Sequence, residues 1–352
     1  SCRALESVKL GHNKLGRFPP RLLALWVKGL AGNASLTALD LQSNGLGPEG
    51  VRAVAQALLS CPALRWLGLS RNQPGGHVEA LAALLREHGA LSRISLIEDE
   101  DKHLTSKAKA LLATALRANP ARKLAYLCVD AFDVNEATRT LRWTSSLPAD
   151  VSLLAGVLGS NTSLTALSLE GCSIAEQERT LLGKALLENV SGSVGYCDDL
   201  ELTPSTAELQ WDLKDGTKAK KGVTLLMGLL RANRTLTTLS LSGMTAEAVP
   251  LLAQAVHTNT TLQTVHIEQS VTGLRGSGTV TAALPVQALT GASGDRLVDL
   301  SACGELSKIT CATLGAMLSN NASVTSLRLS GTKLGDEAGG LLPMLGDKCK
   351  TG

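Results

Sequence analysis

One nine-residue pattern returns along the chain and constrains its fold more than any other feature. Leucine or a similar apolar residue stands at the first, fourth and sixth positions, and Asn, Cys or Thr stands at the ninth. Clear copies begin at Leu36, Leu64, Leu164 and Val324. Because such a pattern marks a repeated structural unit, it predicts a solenoid in which each unit packs only on its neighbours.

The first motif position recurs through the whole chain. Each copy opens with a short strand such as residues 39–41, whose fourth and sixth motif positions point inward because side chains alternate along a strand. The recurrences predict about 11 to 13 repeats in a single domain over residues 1–352. The first motif position falls at Leu5, Leu36, Leu64, Leu91, Leu124, Leu164, Cys197, Leu236, Leu262, Asp295 and Val324.

A helix is predicted in the second half of each regular repeat. After Pro48 at the first turn, the apolar residues Val51, Val54, Ala55 and Leu58 follow helical spacing. Similar spacing predicts helices near residues 76–88, 106–118, 150–159, 176–188, 220–231, 246–257, 306–318 and 336–345.

A strand followed by a helix in each repeat resembles the ribonuclease-inhibitor class of leucine-rich repeats, which also occurs in NOD-like receptors. The resemblance covers nearly the whole chain. It implies an α/β solenoid, a curved horseshoe with parallel strands on the concave face and helices on the convex face. A hydrophobic content of 44% with only 2% aromatic residues agrees with thin layers of Leu, Ala and Val. Such a motif is specific for the fold and does not assign a function.

Three irregular segments interrupt the pattern, near residues 124–145, 197–215 and 273–300. We interpret them as hairpin-like repeats without a helix, similar to irregular repeats in large leucine-rich repeat proteins of algae and other protists. In the third segment, Pro285 predicts an extended chain over residues 284–291. In the first two, the residues assigned to the first, fourth and sixth positions are Thr138, Leu141 and Trp143, and Glu208, Trp211 and Leu213.

The phase of the repeat offers a structural explanation for six Asn-x-Ser/Thr sequons. Five of them lie three residues before a first motif position, where an Asn can adopt the left-handed conformation that ends a helix and the Ser or Thr can bond back to the turn. The alternative is glycosylation. The sequon residues are Asn33, Asn161, Asn189, Asn233, Asn259 and Asn321.

The eight cysteines show no metal-ligand spacing and no Cys-x-x-Cys pair. Cys172 and Cys303 occupy the ninth motif position, so we expect each thiol to be reduced and to donate to backbone carbonyls of its turn. Reduced thiols favour an intracellular, cytoplasmic location.

The charge balance and the chain ends limit the classes of partner. The net charge of +3 comes from 34 basic and 31 acidic residues, which argues against nucleic acid. No apolar run approaches the ~18 residues that span a bilayer. Residues 1–10 show no signal pattern.

Neither end resembles a polar capping repeat, so we expect truncated ends, or ends capped by further repeats or by a subunit of a larger assembly.

The aromatic residues divide by strand phase into buried and exposed sets. Trp143 and Trp211 fall on inward positions and are predicted to fill the core. Trp66 and Tyr126 fall on outward positions, where rigid aromatic side chains are typical interface anchors, although Trp66 could instead cover its neighbour Arg93. The candidate partner-binding residues are Trp66, Arg65, Arg71, Arg93, Tyr126, Asp130 and Glu98.

Other polar runs favour solvent-exposed structure over a defined site. Residues 98–101 are four consecutive carboxylates that lack the spacing of a calcium loop, so we expect a solvated loop or an electrostatic rim. The outward residues of 237–242 are Ser and Thr, which suit an exposed sheet better than a groove for one ligand. Lys214, Lys218, Lys220 and Lys221 form a short basic stretch without interleaved aromatics.

These features predict a non-catalytic scaffold that binds protein partners through its concave face or its strand-end loops. The chain carries no catalytic, cofactor or metal motif, and the pairing of His12 with Asp40 on adjacent strands is expected by chance. One alternative is a ligand-sensing or autoinhibitory module of a larger receptor. Another is GTPase activation, because the Ran GTPase-activating protein uses similar repeats and acts through loops like the one at Arg71 and Asn72.

Overall fold

Strands and helices alternate along the chain and pack into two compact subdomains. The first subdomain comprises residues 1–174 and 188–193, and the second comprises residues 175–187 and 194–352. A single domain over the whole chain stays a prediction. The computed structural model describes residues 4–75, 78–99, 103–121, 123–145, 147–169, 171–213, 222–273, 276–303 and 306–332.

The first subdomain is built on a six-stranded sheet in the order β1 to β6, and β7 and β8 pair in parallel in another sheet. The pairings from β1 to β5 are parallel, and β5 and β6 form an antiparallel hairpin. The strands are β1 (Ser7–Lys9), β2 (Ala38–Asp40), β3 (Trp66–Gly68), β4 (Arg93–Ser95), β5 (Tyr126–Val129), β6 (Phe132–Val134), β7 (Thr140–Arg142) and β8 (Ala166–Ser168). The helices are α1 (Pro20–Leu30), α2 (Gly47–Leu58), α3 (Glu79–Glu87), α4 (Ser106–Ala118) and α5 (Pro148–Leu158), with a 3₁₀ turn at Leu15–Arg17.

The side chain at the fourth motif position of each strand forms the centre of the core of its repeat. Leu39, Leu67, Ile94 and Leu127 stand opposite one another on β2 to β5 and are at most 1% exposed. Burying each such side chain contributes about 1.5–3 kcal/mol, so a continuous row stabilises the stack through contacts between neighbours only. The outward residues of the same strands are left on the sheet face opposite the helices.

The second subdomain contains a sheet in the order β10 to β13 and a separate parallel pair, β14 and β15. Strands β10, β11 and β12 are parallel, whereas β12 and β13 form a long antiparallel hairpin. The strands are β9 (Tyr196–Cys197), β10 (Glu208–Asp212), β11 (Thr238–Ser242), β12 (Thr264–Gly273), β13 (Gly276–Pro285), β14 (Leu297–Asp299) and β15 (Ser326–Arg328). The helices are α6 (Glu176–Glu188), α7 (Val223–Ala232), α8 (Ala248–Thr258), α9 (Val286–Thr290) and α10 (Lys308–Leu318), with 3₁₀ turns at Asp198–Leu200 and Ser301–Cys303.

Two predictions about the irregular segments were wrong in detail. Val286–Thr290 is helix α9, because Pro285 occupies the N-cap and fixes only the residue before the first turn. In β10, Trp211 stands opposite Leu241, so it is the sixth motif position rather than the fourth, and Leu209 is the fourth. Trp143 and Trp211 are each 2% exposed, which confirms that both tryptophans fill the core.

The predicted helices in the described part of the chain are present, and the one near residues 336–345 lies outside the described residues. In the first repeat, the apolar residues Leu5, Phe18, Leu22 and Leu25 are all more than 40% exposed. The expectation that a further repeat or subunit covers such residues stays a prediction.

In each subdomain, polar side chains just after the helices join consecutive repeats; we call these residues together the end ladder. In a typical member, Asn259, Nδ2 donates to the Leu230 and Asn233 carbonyls at 2.6 and 3.1 Å. Its Oδ1 accepts from two backbone N–H groups of the next turn. The end ladder comprises Asn33, Cys61, His88, Asn119, Asn161, Asn189, Asn233, Asn259 and Asn321.

The end ladder explains the sequons by a mechanism that differs from the predicted one. Asn233 and Asn259 have extended backbones, with φ of −63° and −80°, so left-handed helix termination is not their role. All six sequon asparagines are 0–7% exposed, and their side-chain amides satisfy buried backbone groups. In this fold they are inaccessible to a glycosyltransferase. The sequon hydroxyls of Ser163 and Thr261 donate to carbonyls of preceding repeats.

Cys172 and Cys303 at the ninth motif position donate to backbone carbonyls as expected, but both residues are only half-buried and the carbonyls belong to earlier segments rather than to their own turns. Their thiols donate to the carbonyls of Trp143 and Ala283 at 3.0 and 3.3 Å. The six cysteines in the described ranges are free thiols. The location inferred from reduced cysteines stays a prediction.

Helices α6 and α7 approach each other closely through two glycines. A Cβ placed on Gly183 would lie 2.3 Å from the Thr224 carbonyl carbon and oxygen, and one on Gly228 would lie 2.6 Å from the Gly183 oxygen. Both distances are far inside van der Waals contact, so only glycine fits at either position. The two glycines therefore fix the spacing of these helices.

His88 should be replaceable by asparagine but not by an apolar residue. Its Nε2 lies 2.9 Å from the Cys61 carbonyl, and its Nδ1 accepts from the Ala90 and Leu91 amides. We expect His88→Asn to change the free energy of unfolding by less than about 1 kcal/mol, because Asn offers the same donor and acceptors as its ladder neighbours. His88→Leu leaves these groups unsatisfied and should cost about 3 kcal/mol. Chemical denaturation of both variants measures the free energy of unfolding, and equal losses for the two variants would contradict the expected difference.

Gly183→Ala should strongly destabilise the second subdomain. The added methyl group collides with backbone rather than with a movable side chain, so we expect a loss of about 3 kcal/mol. Gly29→Ala is the matched control, since a Cβ on that helical glycine meets no heavy atom within 4 Å. The control should be neutral or gain up to about 1 kcal/mol through helix propensity. Thermal and chemical denaturation measure both, and a neutral Gly183→Ala would disprove the close approach.

Candidate functional site

Two aromatic residues and an arginine form a row across the outward face of the first subdomain. Trp66 on β3 stands opposite Arg93 on β4, and Arg93 stands opposite Tyr126 on β5. All three side chains are half-buried. Neighbouring parallel strands lie about 4.8 Å apart, so the row is a continuous surface about three strands wide. We call these three residues the aromatic row.

The indole of Trp66 lies along its own strand, over Gly68. A Cβ on Gly68 would come within 3.2 Å of Trp66 Cζ2 and 3.1 Å of Asp40 Oδ1. The Trp66 Nε1 atom is buried and has no hydrogen-bond partner among the described residues. Gly68 therefore makes room for the ring, a function that sequence reasoning missed. A glycine at the next outward position of the same strand was the available signal.

Arg93 connects the aromatic row to the turn after the β5–β6 hairpin. Its Nη1 lies 3.1 Å from Glu136 Oε2, and this pair is partly exposed. The sequence did not indicate Glu136, because the hairpin that places it breaks the regular repeat. Arg65 lies beside the row and is exposed, while its carbonyl accepts the Ser92 and Arg93 amides. Two cationic side chains thus stand beside two aromatic rings.

The strand-end loops hold the remaining predicted residues. Arg71 is exposed and adopts a left-handed backbone, with φ of 55°, and its Nε lies 3.3 Å from Asp99 Oδ1. Asp130 Oδ1 accepts the Glu98 amide at 2.8 Å, and its Oδ2 lies 2.9 Å from His103 Nδ1. Arg71 is therefore engaged in an ion pair at the loop edge, and Asp130 contacts a backbone amide and the His103 imidazole there.

Glu98 does not lie on the surface, contrary to the prediction of a solvated carboxylate run. The residue is 5% exposed, and its two carboxylate oxygens accept the Asn72 and Gln73 amides at 3.2 and 3.0 Å. Glu98 lies at the eighth motif position, yet it accepts the amide of the ninth-position residue Asn72, as the ninth-position Asn44 accepts the amide of Asn13. Burial raises the pKa of the Glu98 carboxyl above its ordinary value. Residues 100–101 lie outside the described ranges.

The catalytic alternatives receive no geometric support at their named residues. Asn72 is fully buried, and its side-chain amide donates to the carbonyls of Leu41 and Leu69. Asp40 accepts the Gln42 amide, and the described hydrogen bonds and ion pairs include none between His12 and Asp40. Beside the aromatic row, burial and the neighbouring Asp133 carboxylate raise the pKa of the Cys128 thiol to about 12, so this thiol stays protonated.

Neither a metal-ligand cluster nor a membrane-spanning helix occurs among the described residues. In those ranges, no group of three or more His, Cys, Asp or Glu side chains could hold a metal ion. No helix in the same part of the chain has the length and apolar character needed to cross a bilayer.

A family model matches two segments that lie within the repeats. The leucine-rich repeat family model matches residues 32–55 and 320–342. Among solved structures, the chain is similar to the leucine-rich repeat-containing protein LegL7 from Legionella pneumophila. The two are 17% identical, with a TM-score of 0.32 over 75% of this chain and 83% of that chain. The chain contains leucine-rich repeats, and the predicted α/β solenoid fold is confirmed.

The raised pKa of Glu98 predicts a stability difference that depends on pH. A carboxyl whose pKa is raised by folding stabilises the folded state below its ordinary pKa and loses that contribution as pH rises through the folded value. Asp99, Asp130, His103 and Arg71 are the charged groups of the same loop edge. We expect wild type to lose stability relative to Glu98→Gln as pH rises above about 4.5. Denaturation at a series of pH values measures the difference, and a constant or opposite trend would contradict the burial effect.

Proposed function

We propose that this protein is a non-catalytic scaffold that binds a protein partner through the outward face of its first subdomain. The observation that carries the proposal is the aromatic row, in which Trp66, Arg93 and Tyr126 stand in register on a preformed sheet. Trp, Tyr and Arg are the residues that most often dominate binding energy at protein interfaces. Since the backbone of the sheet is already ordered, little conformational entropy is lost on binding.

The charged residues around the aromatic row would set orientation and specificity. Arg65 is exposed beside the row, and the Arg93–Glu136, Arg71–Asp99 and His103–Asp130 pairs lie nearby in the same subdomain. The Arg93–Glu136 and Arg71–Asp99 pairs are exposed and contribute little to stability, so they are free to exchange partners in a complex. A partner with an apolar centre and a mixed, mostly acidic rim would complement this surface. Glu98 is buried and does not belong to it.

Affinity capture from an extract of the native cells tests the proposal. Trp66→Ala and Tyr126→Ala should each weaken capture of the same partner by about tenfold or more, because interface anchors contribute about 2 kcal/mol or more. Tyr196→Ala is the matched control, since Tyr196 is also half-buried at the start of a short strand but lies in the second subdomain. Quantitative mass spectrometry of the captured proteins gives the readout.

Two outcomes would count against this assignment. If Tyr196→Ala loses the partner as completely as Trp66→Ala, binding is not located at the aromatic row. If both anchor variants retain the partner while Arg71→Ala abolishes stimulation of a small GTPase, the GTPase-activating alternative is correct. Circular dichroism and thermal denaturation of each variant separate lost contacts from lost folding.

A further inference from the structure

A cavity of about 430 Å³ lies on the outward face of the sheet in the second subdomain. Two rows of side chains in strand register line it, together with Trp211 and Thr281. Gln210, Ser240 and His266 form one row across β10, β11 and β12, and Asp212, Ser242 and Glu268 form the next. The sequence favoured a plain exposed sheet here, so the cavity is a feature of the tertiary structure. Its volume falls in the usual range for ligand pockets.

The cavity lies on a face with negative charge. The outward carboxylates of the sheet are Glu208, Asp212 and Glu268, whereas the described strands β10 to β13 contain no lysine or arginine. Asp212 and Glu268 stand two strands apart with the hydroxyl of Ser242 between them. Over the described part of the chain, the Glu268 side chain is exposed and makes no hydrogen bond or ion pair. A cationic ligand would therefore meet an available carboxylate.

We propose that this cavity binds an arginine side chain of a protein partner. Adjacent strands are about 4.8 Å apart, so the backbones of Asp212 and Glu268 are about 10 Å apart. A planar guanidinium between their side chains can direct N–H donors to both carboxylates and to the Ser242 oxygen at once. A lysine ammonium is a compact, strongly hydrated charge and spans this distance less well.

The other residues that line the cavity suit the partner segment that carries the arginine. Ser240, Gln210 and His266 provide hydrogen-bonding groups in the adjacent row, about 6.6 Å further along the strands. The volume exceeds that of one side chain, so backbone on either side of the arginine would also enter. This site lies in a different subdomain from the aromatic row, and it does not depend on the function proposed for that row.

Fluorescence anisotropy with a labelled arginine-containing Gly-Ser peptide tests the proposal on the full chain. The same peptide with citrulline in place of arginine is the isosteric neutral control. We expect Glu268→Gln and Asp212→Asn each to weaken binding of the arginine peptide by about tenfold, since each removes one charge-assisted contact. Glu208→Gln should change it by less than about twofold, because Glu208 carries the same charge on the same face outside the cavity.

Several results would overturn this site. Equal binding of the citrulline peptide, or equal losses for Glu208→Gln and Glu268→Gln, would show that no arginine pocket exists. Equal affinity for N-acetylarginine amide and the peptide would assign the cavity to a small molecule. If the double variant Lys218→Gln with Lys220→Gln binds the arginine peptide about tenfold more tightly than wild type, this chain's own basic stretch is the occupant of the cavity. Because Glu268 is exposed, its replacement should leave the thermal denaturation midpoint unchanged.

Discussion

The structure depends on side-chain amides that form hydrogen bonds with backbone N–H and C=O groups of neighbouring repeats. A strand, a loop and a helix must stack tightly on the next copy, which buries loop N–H and C=O groups away from water. Asn44 and Asn72 satisfy these groups at the strand-end loops, and the end ladder satisfies them after the helices. An unsatisfied buried group costs about 1–3 kcal/mol, so without these contacts the apolar rows could not stack.

The exceptions show which property of asparagine is needed. His88 replaces an end-ladder asparagine by combining a carbonyl contact with acceptance from two amides, and Cys61 keeps only a thiol donor to the Leu30 carbonyl. At the strand-end loops, the Glu98 carboxylate, one position before the motif asparagine, accepts a loop amide that a ninth-position asparagine accepts elsewhere. The substitutes are buried like the residues they replace. The shared requirement is therefore hydrogen-bonding capacity, and Glu98 meets it with a buried carboxyl group whose pKa burial raises.

Much of the architecture was predictable, because helix and strand periods are local properties of the chain. The regular helices, the buried Trp143 and Trp211, and the outward positions of Trp66 and Tyr126 all follow from motif phase. Sequence reasoning failed where the repeat breaks. The phase of β10 was assigned incorrectly because Leu209 and Leu213 are both plausible inward residues, and only the pairing of Trp211 with Leu241 decides between them.

The sequence by itself determined the repeat, its strand–helix alternation and the set of side chains that face outward. Tertiary structure decided which outward residues meet, because the strands of a sheet come from distant segments and their register is a property of pairing. It placed Glu136 beside Arg93, buried Glu98, and set the indole of Trp66 over Gly68. It also brought Asp212 and Glu268 to the two sides of one cavity. Periodicity fixes the direction of a side chain, whereas its neighbours depend on packing across repeats.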